Sequence, residues 1–244
     1  MNYMFSDCPN LRTINLSGFK ASNLYYMYYA FRNCYSLEEL NMNSLSLNSI
    51  LGMEGAFQNC SKLVNLNFNL LTKTSNLNNI RNLFLNCSSL TSLNLENLDT
   101  SSVTQMSSTF QNCKSLRQIK NNFNTEEVIN MNNLFDNCIS LEELDLSNFN
   151  TEEVTNMSYM FNNCTSLTSL KVDNFNTKKV AEMNNMFYGC SSLEYLDISS
   201  FETNNCQKFD SIFDECINLT IKIDKDKCAN VYKVLPEYII VSEE

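Results

Sequence analysis

Cys8, Cys34, Cys60, Cys87, Cys113, Cys138, Cys164, Cys190 and Cys216 follow one another at gaps of 26, 26, 27, 26, 25, 26, 26 and 26 residues. A phenylalanine stands three residues before each of them, from Phe5 to Phe213. A leucine stands three residues after each, from Leu11 to Leu219. Agreement in nine registers means that the chain is built from repeated units of about 26 residues. Such a unit is too small to bury its own apolar stripe, so neighbours must stack and bury it jointly, which makes a solenoid. If successive units pair at the spacing of β-strands, nine of them span about 40 Å.

Each unit divides into two halves. In the stretch 156–172, "NMSYMFNNCTSLTSLKV", Met157, Met160, Phe161 and Cys164 stand at i, i+3, i+4 and i+7. That spacing predicts one face of a short helix. Leu170 and Val172 then alternate with Ser169, Lys171 and Asp173, which predicts a half-buried strand. The residue before the cysteine is asparagine at 33, 59, 86, 112, 137 and 163 and glycine at 189, with Asp7 and Glu215 in the end units. Asn and Gly tolerate a left-handed backbone, so this position is read as the end of the helix. The expected fold is an α/β repeat: a leucine-rich-repeat-like solenoid of nine strand-plus-short-helix units over residues 1–223. A helix-strand cap over 224–244 follows from "KCANVYKVLP" and "EYIIV". Met1 falls on the position of Met157, so the first unit is incomplete at its N-terminus. The chain is therefore expected to be the C-terminal part of a longer array, or to have its true start upstream.

The nine periodic cysteines are read as a structural ladder, small buried hydrophobes on the apolar face. Cys206, which takes the place of Val154 and Val180, and Cys228 in the tail are read the same way. Disulfides between adjacent rungs are sterically conceivable, but eleven is an odd number and tight pairing would disturb a regular stack. The sequence has no histidine and no C-x-x-C pair, so no metal site is expected. Buried thiols favour a reducing setting.

Catalysis needs a constellation that breaks a repeat, and none stands out. The pairs Glu38/Glu39, Glu126/Glu127, Glu142/Glu143 and Glu152/Glu153 read as solvated acidic surface, and "DKDK" lacks calcium-loop spacing. The chain is expected not to be an enzyme and to need no cofactor. A formal charge of −10 argues against nucleic acid as a partner. No run of apolar residues is long enough to span a membrane. The sequons at Asn15, Asn59, Asn86, Asn156, Asn163 and Asn218 largely follow from the repeat.

The stretch 141–170, "LEELDLSNFNTEEVTNMSYMFNNCTSLTSL", resembles the repeat of the BspA-like leucine-rich repeat surface proteins, whose unit reads close to L-x-x-L-D-L-S-x-F-x-T-x-x-V-x-x-M-x-x-M-F-x-x-C-x-S-L. The resemblance covers nearly all of residues 1–225, is closest over 141–201, and is loosest in units two and three, where "NSLSLNSILGMEGAF" lacks the threonine. It implies a surface or secreted protein with an adhesive role, recognising a protein or a glycan. The alternative is an intracellular, cytoplasmic leucine-rich-repeat scaffold for protein–protein interaction. Two surfaces are candidates. One is the outward strand face, including Glu143, Asp145, Lys171, Tyr195 and Asp197, because solenoids commonly bind on their extended sheet. The other is "LYYMYYAF", where Tyr25, Tyr26, Tyr28 and Tyr29 stand in place of Thr155, Asn156, Ser158 and Tyr159 of unit seven, with Tyr3 beside Tyr29 in the neighbouring unit. These four are expected to face solvent as an interface patch.

Overall fold

The computed structural model describes residues 1–19, 21, 23–42, 45–66 and 74–242. Asn67, which the strand alternation would place outward, lies outside the described residues. The described chain is a parallel β-solenoid. Among the described residues eight units contribute one short strand each, and the strands pair in register one repeat apart within four separate parallel sheets. β1 (Thr13–Asn15) pairs with β2 (Glu39–Asn41), β3 (Ser92–Leu95) with β4 (Gln118–Asn121), and β5 (Glu143–Asp145) with β6 (Ser169–Lys171). β7 (Tyr195–Asp197) pairs with β8 (Thr220–Lys222), and β8 with β9 (Ile240–Val241). The helix α1 (Ala229–Tyr232) lies between those last two strands.

The short helix expected in each unit is not there. Residues 157–164 instead form three overlapping turns, closed by Met160 N–H to Met157 O, Asn162 N–H to Tyr159 O and Cys164 N–H to Phe161 O. The intervening amides donate along the rod: Tyr159 to Asn184 O, Phe161 to Met186 O and Asn163 to Tyr188 O. Tyr159 and Asn163 are left-handed, with φ 59° and 54°. A positive φ at the third residue is the type II turn signature and interrupts any helix. The 3/4/7 spacing of apolar residues was therefore a correct statement of which side chains point inward and a wrong statement of the backbone. The pre-cysteine residue is left-handed throughout, Asp7 and Glu215 included, but as a turn residue and not as a helix end.

A second seam of parallel bridges links Tyr26, Gly52, Asn79, Gln105, Asn130, Asn156, Glu182 and Lys208 in succession. Inside the rod, the phenylalanines from Phe5 to Phe213 form one file, with neighbouring ring centroids 5.3–5.8 Å apart and nearly parallel planes. This is offset stacking, favourable for aromatic pairs beyond the area buried. Phe123, Phe149, Phe175 and Phe201 form a second file at 6.3–6.4 Å.

The threonine of the repeat adds a bond that neither strand nor turn supplies. Thr151 is buried, its Oγ1 donates to Asn176 O at 2.9 Å, and it accepts from Asn176 N–H at 2.8 Å. Thr74, Thr125 and Thr177 make the same reciprocal pair with Asp99, Asn150 and Glu202. One hydroxyl thus satisfies both backbone groups of a residue in the next unit, where the chain is too irregular for a strand.

Candidate functional site

The cysteine file is closed to chemistry. All ladder thiols from Cys34 to Cys216 are buried, Cys8 is half-buried, and all eleven cysteines are free. Burial raises every thiol from Cys34 to Cys216, Cys34 to about 11 and Cys87 and Cys216 to about 12. The thiolate is the nucleophile and the metal ligand, so these sulfurs are inert. They also do more than fill space. Cys164 Sγ donates to Phe135 O at 3.2 Å, and the same bond joins Cys60 to Phe31, Cys87 to Phe57 and Cys190 to Phe161. Each thiol adds a second bond to a carbonyl of the preceding rung that already accepts its own turn amide.

The strand face follows the expected alternation. Glu143 lies opposite Ser169 and Asp145 opposite Lys171, and all four are exposed. With Arg117 and Gln118 they line a shallow groove of about 720 Å³. Asp145 and Asp197 have a second task. Asp145 Oδ1 accepts the Ser147 amide at 2.9 Å, and this bond and the Ser147 side chain hold its carboxyl below the usual range. Burial opposes the same shift at Asp197, but bonds from Ser199 and the Lys222 charge outweigh it. Both aspartates close a turn at the strand end, the local self-bonding that makes Asx residues good turn formers. Tyr195 is half exposed on this face.

The tyrosines separate into two groups. Tyr25 and Tyr26 face solvent, as does Tyr3, but Tyr28 and Tyr29 are half-buried. The expectation of four solvent-facing tyrosines is therefore corrected. Tyr28 and Tyr29 lean over the next unit, where a methyl at Gly52 would overlap the Tyr28 ring and one at left-handed Gly55 the Tyr29 ring. Tyr29 stacks on Tyr3 at 5.3 Å, and Arg32 lies against both rings at 5.5 and 5.9 Å. Arg32 also pairs with Asp7 at 3.1 Å. The Tyr29 hydroxyl donates to Glu54 at 2.5 Å; burial and that carboxylate push its phenol up to about 12. The glycines of "GMEG" were the available signal, since they sit in the next unit, 24 and 26 residues after the tyrosines they accommodate.

The turn face was not singled out from sequence, yet it carries the most ordered polar array. Asn33, Asn59, Asn86 and Asn112 each donate a side-chain amide to the rung before, beginning on Asp7, at 2.5–2.8 Å. These bonds occupy the amide nitrogens of the sequons at Asn59 and Asn86. Further along, the buried Asp136 carboxylate accepts amides of Gln111, Asn137 and Asn162, each at 2.7 Å; burial raises its carboxyl despite these bonds. Among the described residues, no helix is long and apolar enough to cross a membrane.

The geometry defines a class first: a leucine-rich solenoid scaffold, in which one apolar set of side chains is spent on stacking and the outward positions form extended surfaces. The chain belongs to the BspA-type leucine-rich repeat family. The profile described as BspA type Leucine rich repeat region (6 copies) matches residues 1–105, and Mycoplasma protein of unknown function, DUF285, matches 78–171 and 142–237. No curated protein matches the chain.

Proposed function

We propose that the chain is a non-enzymatic binding module of a surface or secreted protein, and that it engages a protein partner through the tyrosine surface of units one and two. The observation that carries this reading is the exposure of Tyr3, Tyr25 and Tyr26, at 54%, 49% and 38%, with Arg32 over the Tyr3 ring. Tyrosine and arginine dominate interface hot spots, and rings held in place lose little freedom on binding. The underlying Tyr28 and Tyr29, seated on Gly52 and Gly55, hold this surface in shape. The acidic strand face at Glu143 and Asp145 then serves as a flanking contact that steers basic partners. A role outside catalysis is supported by the burial of the repeated thiols.

The test is a biosensor screen of the full chain against purified extracellular-matrix proteins. The double variant Tyr25→Ser/Tyr26→Ser keeps Tyr28 and Tyr29 on Gly52 and Gly55 and removes the Tyr26 ring, which lies 5.0 Å from that of Tyr28. It is expected to stay folded, with a modestly lower melting temperature from the lost Tyr26–Tyr28 contact, and to lose about tenfold or more in affinity for whichever protein the wild type captures. Equal affinity in a folded variant removes the tyrosine surface. Failure of the wild type to bind any secreted protein favours the intracellular scaffold instead.

A further inference from the structure

Three tyrosines occupy the left-handed turn position: Tyr3, Tyr29 and Tyr159, with φ 56°, 53° and 59°. In the other units this position is Gly55, Asn82, Ser108, Asn133, Asn185 or Ser211. A bulky side chain there is an outlier, and an outlier that persists needs a compensating interaction or a functional reason. Tyr3 and Tyr29 have the compensation, since they stack on each other under Arg32. Tyr159 does not. Among the described residues its ring has no aromatic or cationic partner and its hydroxyl has no hydrogen bond; the residue is 37% exposed.

Tyr159 lines a groove of about 460 Å³ on the turn face, remote in sequence from the tyrosines of units one and two. One side of this groove is locked. Lys208 Nζ meets Glu182 at 2.6 Å, Asn156 Nδ2 donates to Glu182 at 2.8 Å, and Ser158 Oγ donates to Asn184 Oδ1 at 2.8 Å. The other side is open. Among the described residues, the side chains of Asn132, Asn133, Asn185 and Asp210, which also line it, make no hydrogen bond to protein. A planar ring thus stands among amides that donate and accept and a carboxylate that accepts, on backbone fixed by inter-rung bonds.

That combination selects a ligand class. A pyranose ring has a C–H face that lies on an aromatic ring and pairs of neighbouring hydroxyls that bond to amides and carboxylates in pairs. Rungs about 4.8 Å apart repeat the polar groups at close to the length of one sugar unit. Glu182, Asp210 and the net charge of −10 repel phosphate and sulfate. A single aromatic in a polar groove is poor in the apolar anchors of a protein interface. We propose that Tyr159 is the stacking platform of a second binding site, independent of the tyrosine surface above, and that the site takes a neutral oligosaccharide.

The experiment is calorimetric titration of the full chain with cellotriose, mannotriose, triacetylchitotriose and, as the anionic control, a heparin tetrasaccharide. At least one neutral trisaccharide binds with a Kd of about 1 mM or below, and the heparin fragment does not. Tyr159→Ala and Asn132→Ala weaken that binding about tenfold or more, and Tyr159→Phe stays within about threefold. Tyr159→Asn installs the residue that other units carry there, so it folds, melts above the wild type and still loses about tenfold or more. Tyr25→Ser/Tyr26→Ser leaves saccharide affinity unchanged, which separates this site from the protein-binding one. Absence of binding by every neutral trisaccharide at about 10 mM, a preference for the heparin fragment, or wild-type affinity in Tyr159→Asn overturns the proposal.

Discussion

Phe161→Ala is expected to lower the stability of the chain by about 3–5 kcal/mol. Its ring is fully buried, between Phe135 at 5.8 Å and Phe187 at 5.5 Å. Truncation removes the transfer energy of one aromatic and two stacking contacts, and leaves a void that the stacked rungs cannot close. In a stack where each unit touches only its neighbours, the loss falls on two interfaces at once. The urea transition followed by far-ultraviolet circular dichroism should move to lower denaturant and broaden, as the two halves of the rod uncouple. Ile217→Ala, at a 60% exposed position, is the control and should change stability by less than about 0.5 kcal/mol. A loss below about 1 kcal/mol at Phe161 would mean that the file is not the core.

Thr151→Val keeps the shape of the side chain and removes one oxygen, and should still cost about 2–4 kcal/mol. The substitution strands both the N–H and the C=O of Asn176 in a partly buried setting, each worth about 1–2 kcal/mol when left unmade. Thr151→Ser retains the hydroxyl and loses only a methyl, so its cost should be about 1 kcal/mol. The ordering of the two variants is the diagnostic. If threonine serves only by volume and β-branching, valine will be the milder change.

These two residues also mark how far the sequence could be read. The phenylalanine file was legible because a strict period forces equivalent residues into register. The threonine was visible in the motif, but its partner lies 25 residues away and is a backbone group, which carries no residue signature. The thiol donors were hidden for the same reason: Cys164 bonds to the carbonyl of Phe135, one repeat and three residues earlier. The helix was misread because Met157, Met160, Phe161 and Cys164 define an inward set without defining which way the intervening amides point. Those amides run along the rod, a choice made by the neighbouring unit and not by the local sequence. At the candidate surfaces, the outward residues of the strand face followed from simple alternation. The division of Tyr25 and Tyr26 from Tyr28 and Tyr29 depended on Gly52 and Gly55 in the next unit. Tyr159 could have been found by comparing left-handed positions, but only once asparagine and glycine there were understood as turn residues.

The sealed interior is tested most directly by counting reactive thiols with an aromatic disulfide reagent, before and after denaturation. The native protein should yield prompt reaction at Cys8 alone, the one half-buried thiol, with the others reacting no faster than the fold opens. Denaturant should release all eleven. Several thiols that react at once in the native state, or fewer than eleven after unfolding, would contradict a structural ladder.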